Sequence, residues 1–339
     1  MAEKQNSQPN DKAKSGQGGR QRTVAPKKAG EKAPEHNPGA FLDLPLEACA
    51  YDKAAVVVLP MPLEESVSYG GGTVRGPEAI ITASQQVELY DIERDCEPAL
   101  QYGIHTLPPA FAAPAKTAEA AVDAIAEEAA KHLAAGKFVL GLGGEHTASL
   151  GMARAVAATK GNFTLVHIDA HADLRDSYES NPLSHASVIR RIAELPECRT
   201  ILQLGIRSTS PDQVDFTRRH AKGKGRRPHI TTWYARDMHR CGAWRKELKR
   251  AVQGRRVFFT FDVDGLEPSI VPATGTPEPD GLTWRQLMRI ARIVARNADR
   301  CLAMDCVELA PTPGLHYADF TVARALYAML TLFAGPAGR

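Results

Sequence analysis

No apolar run in this sequence approaches the roughly 18 to 20 residues needed to cross a bilayer, although hydrophobic residues make up 43% of it. A soluble protein is expected, and the N-terminus also lacks the apolar core of a secretory signal. None of the six cysteines (Cys49, Cys96, Cys198, Cys241, Cys301, Cys306) stands at CxxC spacing from another. That excludes the usual two-cysteine metal and redox motifs and fits reduced thiols in a cytoplasmic enzyme better than a disulfide scaffold. No repeat of fixed period stands out. Excess charge is confined to residues 1–40, where eight Lys/Arg face four Asp/Glu; about −1 of the net +3 remains for everything else. The body therefore offers no case for a nucleic-acid partner, and nothing in it points to a membrane.

What is present begins with a tail. Residues 1–40 are rich in Gly, Gln, Lys, Pro and Asn and nearly free of large apolar side chains, so burial cannot offset the entropy of ordering them. A disordered basic tail is expected there, followed by a single α/β domain over 41–339. In that domain short apolar runs alternate with helical patterns, as in a parallel sheet wrapped by helices. The expected strands are Ala55–Leu59, Phe138–Leu142, Phe163–Ile168, Thr200–Leu204, Val257–Phe261 and Cys301–Cys306. The expected helices are Thr117–Ala135, His185–Leu195, Trp244–Val252, Thr283–Asn297 and Phe320–Phe333. The stretch Ala221–Pro228 (AKGKGRRP) reads as a basic, solvated loop.

Four strand ends carry polar residues that a structural strand does not need: Gly143-Gly144-Glu145-His146, Asp169-Ala170-His171-Ala172-Asp173, Asp262-Val263-Asp264 and Val307-Glu308. In a parallel sheet the C-terminal ends of the strands share one edge, where such folds build their sites. Extended backbone sends alternate side chains to one face, so Asp169, His171 and Asp173 are expected to converge, as are Asp262 and Asp264. With His146 this gathers four carboxylates and two imidazoles. A lone DxHxD also fits a surface loop or a single-metal site, but a second DxD on another strand favours two divalent cations that cancel the repulsion. The donors are mostly hard oxygen with no thiolate, which suits Mn(II), with Zn, Co or Fe as alternatives. Two ions bridged by one hydroxide would supply a nucleophile at neutral pH.

The motifs GGEHT (143–147), HIDAHADLRD (167–176), FDVDGLEPSIVPATGTPEPDGLTW (261–284) and DCVELAP (305–311) resemble those of the ureohydrolases, the family of arginase and agmatinase. The resemblance runs from about Ala55 to the C-terminus. It implies a three-layer α/β/α fold with a mainly parallel sheet, and a manganese pair, two Mn(II) per chain, held by His146, Asp169, His171, Asp173, Asp262 and Asp264. It implies that His185 shuttles a proton to the departing amine, a task suited to a group titrating near neutrality; otherwise His185 is an ordinary polar residue at a helix start. Glu308 falls on the family's guanidinium-binding carboxylate, where a planar cation is held by paired hydrogen bonds; a capping or ion-pairing glutamate is the alternative. Thr276 falls beside the substrate, though its hydroxyl can equally serve the Gly/Pro-rich turn. Glu145 stands where the family often has Asp, and Glu267 where Asp usually precedes Pro268. The family's habit of trimers or hexamers makes a homo-oligomer the expected assembly.

The substrate implied is a small guanidino compound, with agmatine, cleaved to putrescine and urea, the first choice. The segment before His185 lacks the Ser-Gly-Asn pattern by which arginases hold an α-carboxylate, and its acids Asp176 and Glu179 suit a distal ammonium, with Arg175 arguing weakly the other way. The stretch Ser68–Asp91 also looks more like bacterial agmatinases than arginases. Guanidinobutyrate, guanidine or arginine are the alternatives within the class. A non-catalytic relative that keeps the fold and binds partners is the alternative outside it.

Overall fold

Aliphatic and β-branched runs of three to nine residues make the strands of this protein. In the computed structural model, which describes residues 36–221 and 228–334, they are β1 (Val56–Met61), β2 (Ile104–Thr106), β3 (Phe138–Gly143), β4 (Phe163–Ile168), β5 (Cys198–Ile206), β6 (His229–Tyr234), β7 (Arg256–Asp262) and β8 (Arg300–Val307). All pair in parallel, in the order β2-β1-β3-β8-β7-β4-β5-β6. Both faces of the sheet are covered, which is why the inner strands are buried almost end to end and read as continuous apolar runs. On β7 the alternation is plain: Val257, Phe259 and Phe261 enter one core and Phe258 the other.

The first core packs beneath helices Gly76–Ser84, Ala243–Val252, Trp284–Asn297 and His316–Phe333, through Ile80, Trp244, Leu287 and Leu326. The second packs beneath Ala118–Ala134, Ala148–Lys160 and Val188–Ala193, through Ile125, Val156 and Ile189. The expected three-layer α/β/α architecture is thus the observed one. Thr117 caps its helix, its Oγ1 accepting from Ala120 N at 3.2 Å, and Thr283 forms a reciprocal capping box with Gln286. Gly151 lets helices Ala118–Ala134 and Ala148–Lys160 touch: a Cβ there would stand 2.7 Å from Ile125.

All six expected strands are present, with ends moved by a residue or two. Two were missed, and both are edges: β2 has only three residues, and β6 (HITTWY) is mostly half-buried because among the described residues one side has no neighbouring strand. Helix Ala148–Lys160 was missed because eight of its first nine residues are buried, so no polar face marks a period. The expected helix from His185 opens as a 3-10 turn, His185–Ser187. Residues 1–35 of the expected tail lie outside the described residues, as does all of the basic loop between Ala221 and Pro228. The last tail residues belong to the described body: His36 bridges to Pro45, and Ala40 is buried. Among the described residues no helix is long and apolar enough to cross a membrane.

β3, β8, β7 and β4 are four neighbours in mid-sheet. Their C-terminal ends deliver His146, Glu308, Asp262 and Asp169 to one place.

Candidate metal centre

The loop after β3 sets His146. Gly144 presses on Leu63, where any Cβ would meet the carbonyl oxygen at 2.0 Å, and its own carbonyl accepts from Glu308 N at 2.7 Å. The His146 ring then lies buried with Nδ1 3.1 Å from Asp173 Oδ2 and 3.2 Å from Oδ2 of both Asp169 and Asp262. Asp169 faces the other way as well: its Oδ1 accepts from His171 N at 2.5 Å and is 3.5 Å from His171 Nδ1. That same Nδ1 is 2.9 Å from Asp264 Oδ2. All six expected ligands therefore converge, in two overlapping groups that share Asp169.

The convergence is not reached by extended backbone, as the spacing suggested. β4 ends at Ile168, and Asp173 is in the left-handed region at φ 50°. Asp264 lies in a 3-10 turn whose first amide donors are capped by Asp262, with Asp264 N 2.9 Å from Asp262 Oδ1. Glu308 is left-handed too, at φ 66°. Such conformations cost a non-glycine residue about 1 to 3 kcal/mol each and persist where the surroundings hold them. Arg207 is part of that hold: its guanidinium donates to the carbonyls of Gly205, Asp264, Gly265, Leu266, Glu278 and Pro279, with Asp264 O at 2.6 Å. Glu267 adds a bond to Gly281 N at 2.7 Å, so its extra methylene relative to Asp is absorbed in this loop.

Electrostatics identify what the cluster wants. Burial, and then the neighbouring carboxylates, push Asp262 and Asp264 above the ordinary range. Burial also opposes ionisation of Asp169, but His167, His146 and His171 outweigh it and hold this carboxyl well below its usual value. Burial opposes charging of His171 too, yet Asp264 and Asp169 draw it up to about 12. Raised acids and a raised imidazole thus stand side by side in one buried cluster, an excess of negative charge that bound divalent cations would relieve. His146 Nδ1 is buried without a hydrogen-bond partner of good geometry, while its Nε2 has Thr260 Oγ1 at 3.1 Å to accept a proton. A lone pair aimed among three carboxylates is a metal ligand's arrangement, and the oxygen-rich donor set fits hard divalent ions.

Sequence reading missed the residue that orients Asp169. His167 Nε2 lies 2.7 Å from Asp169 Oδ2, and its Nδ1 is 3.2 Å from Gln203 Nε2. Gln203 is itself fixed by Ala172 O at 2.8 Å and Thr232 Oγ1 at 2.9 Å. Since Gln203 donates to Nδ1, the His167 proton sits on Nε2 and points at Asp169. The signal was faint: His167 is on β4, but Asp169 lies one residue past its end, so the two-residue spacing alone does not bring them together.

Beside the cluster opens a cavity of about 240 Å³, lined in part by Asp173, Asp262, Asp264, His171, His185, Thr276 and Glu308. Glu308 Oε1 accepts from His146 N at 2.6 Å, and burial followed by the Glu145 charge pushes its carboxyl well above the usual range. His185 Nε2 lies 2.7 Å from Ser68 Oγ. Asp176 and Glu179 are corrected: neither lines the cavity. The Asp176 side chain is 78% exposed and pairs with Arg190 and Arg191, while Glu179 sits at φ 49° in an exposed turn. The loop turns their neighbours inward instead, so Arg175 and Tyr178 form the wall, the guanidinium 5.4 Å from the tyrosine ring centre.

Beneath the cluster Asp305 is fully buried next to Thr260 and Ser149, yet neither of its oxygens makes a hydrogen bond of good geometry, and burial pushes it up to about 6. A raised carboxyl adds stability that is present below the unfolded value of 3.8 and is lost as pH climbs to about 6. In metal-free protein Asp305→Asn should therefore gain on the parent as pH rises through this window and level off above it, by at most about 3 kcal/mol. Thermal unfolding between pH 4 and 8 reads this directly; a difference independent of pH would refute it.

A family model described as "Arginase family" matches residues 54–333. The N(1)-aminopropylagmatine ureohydrolase of Thermus thermophilus is 39% identical, over 82% of this chain and 89% of its own. Agmatinase of Bacillus anthracis is 33% identical, over 77% and 86%. The structure of agmatine ureohydrolase from Thermoplasma volcanium superposes with a TM-score of 0.71 at 27% identity, covering 84% of this chain and 91% of that one. Matched in this way over nearly all of its described length, the chain belongs to the arginase family and is a ureohydrolase that cleaves the C–N bond of a guanidino compound.

Proposed function

We propose that the protein hydrolyses a linear alkylguanidine carrying a distal amine, agmatine or its N(1)-aminopropyl derivative, to urea and the corresponding polyamine, with two Mn(II) held by the six ligands. The observation that carries this is the pairing of the metal-ligand cluster with Glu308 in one cavity wall. A bound pair of divalent ions supplies water activation at neutral pH. Glu308 then binds and orients the planar guanidinium, and Thr276 flanks it. Water oxygen joins the guanidino carbon, the bond to the alkyl-bearing nitrogen breaks, and that nitrogen leaves with a proton delivered by His185. Charge is conserved: an alkylguanidinium becomes neutral urea and an alkylammonium.

For the tail, the support is the relatives' activities and the character of the outer wall. Ser68, Tyr69, Tyr178, Ser208 and Thr209 line it, residues whose hydroxyls can accept from an ammonium. Arg175 favours a second reading, a carboxylate tail as in guanidinobutyrate, with its guanidinium 5.4 Å from the Tyr178 ring centre on the same wall. Urea release from agmatine, N(1)-aminopropylagmatine, guanidinobutyrate, arginine and guanidine separates the two. An amine-tailed compound should lead in kcat/KM by about tenfold to a hundredfold. A lead for guanidinobutyrate would establish the second reading, and no urea from any of them would make the protein a binding relative.

A further inference from the structure

His185 lies on the cavity wall at the start of a one-turn 3-10 helix, half-buried, and its own helix offers its ring only the N-cap hydroxyl of Ser184, at a long 3.5 Å from Nδ1. The shorter contacts come from the segment after β1. Ser68 Oγ meets Nε2 at 2.7 Å, and Ser66 Oγ meets Nδ1 at 3.2 Å and the His185 backbone N–H at 3.0 Å. That segment has no regular structure of its own and is anchored by Glu145, fully buried next to the ligand His146. Glu145 Oε2 accepts from the backbone N–H of Glu65 and of Ser66, both at 2.6 Å, and Oε1 accepts the Ser66 hydroxyl at 2.9 Å.

The proton positions follow from this geometry. A carboxylate only accepts, so the Ser66 hydroxyl proton goes to Glu145. The Ser66 oxygen is left with lone pairs alone and must accept from both His185 N–H groups, which puts the ring proton on Nδ1. Nε2 keeps its lone pair, with Ser68 free to donate to it, and is the nitrogen left to exchange a proton. We propose that Glu145 and Ser66 are positioning residues that fix the rotamer and tautomer of His185 through the chain Glu145–Ser66–His185, so that the loop supplying a metal ligand also sets the proton carrier. This rests on His185 being that carrier. It also gives the glutamate of GGEHT a task of its own, since its carboxylate reaches Ser66 across from the metal loop.

The test uses metal-loaded full-length protein. Ser66→Ala should lower kcat by about tenfold to a hundredfold, the scale of a misplaced catalytic group, with KM and bound metal unchanged. Ser66→Thr, which keeps the hydroxyl, should recover to within about threefold of the parent. In a His185→Ala background Ser66→Ala should change turnover less than about twofold, because residues acting as a unit are not additive. Parental kcat in Ser66→Ala beside a severe loss in His185→Ala would overturn the positioning role and leave the carrier intact. Parental turnover in His185→Ala would remove the carrier itself, and with it this inference.

Discussion

Replacing Asp169 by Asn should remove bound metal and urea release together. Asp169 belongs to both candidate ligand groups, with one oxygen among His146 and His167 and the other against His171. An amide in its place keeps the volume but offers one neutral oxygen, and its NH₂ must point at a group that expects an acceptor. Bound metal is expected to fall from about two ions per chain to below one, and kcat by a factor of about 10³ or more, given that even residues behind metal ligands cost about 10- to 100-fold. Elemental analysis of the purified protein and an assay with saturating Mn(II) measure the two quantities. Circular dichroism should remain parental, since the sheet beneath does not depend on this side chain. Full metal occupancy in the variant would sink the assignment. Asp264→Asn provides a second test on the His171 side, where one ion rather than both should be weakened.

The strands and the cluster of acids and imidazoles at their ends were legible in the sequence for one reason: inner parallel strands announce themselves as apolar runs, and polar residues at their ends then stand out. Val257–Phe261 followed by Asp262-Val263-Asp264 is the clearest case. The route by which the ligands meet was not legible, because a left-handed Asp173 and a 3-10 turn at Asp264 leave no mark in a two-residue spacing. The outer wall was misread for a related reason. In the stretch after Asp173 the choice between Asp176 inward and Arg175 inward depends on where Arg190 and Arg191, on a later helix, draw the carboxylate. Such a long-range ion pair has no local signature. Nor did Ser66 and Ser68, two unremarkable serines more than a hundred residues from His185 in sequence.

Glu308→Gln should leave the metal in place and lower kcat/KM by a factor of about 10² to 10³, the reverse of the pattern for Asp169. The amide oxygen can keep the bond that Glu308 Oε1 accepts from His146 N at 2.6 Å, so the ligand loop should not move. What is lost is the negative charge facing an incoming guanidinium. A buried charge pair that loses one partner costs about 2 to 5 kcal/mol, much of it the penalty of leaving the other charge alone. An amide also presents an NH₂ to a group made only of donors. The free protein, in contrast, should gain: burial and the Glu145 charge both oppose ionisation of Glu308, and the neutral side chain removes that opposition. Metal-free Glu308→Gln is therefore expected to unfold at a higher temperature than the metal-free parent at neutral pH while being nearly inactive when loaded. Equal kcat/KM with agmatine and parent-like metal content would show that Glu308 is a structural glutamate and that the guanidinium is held by another group.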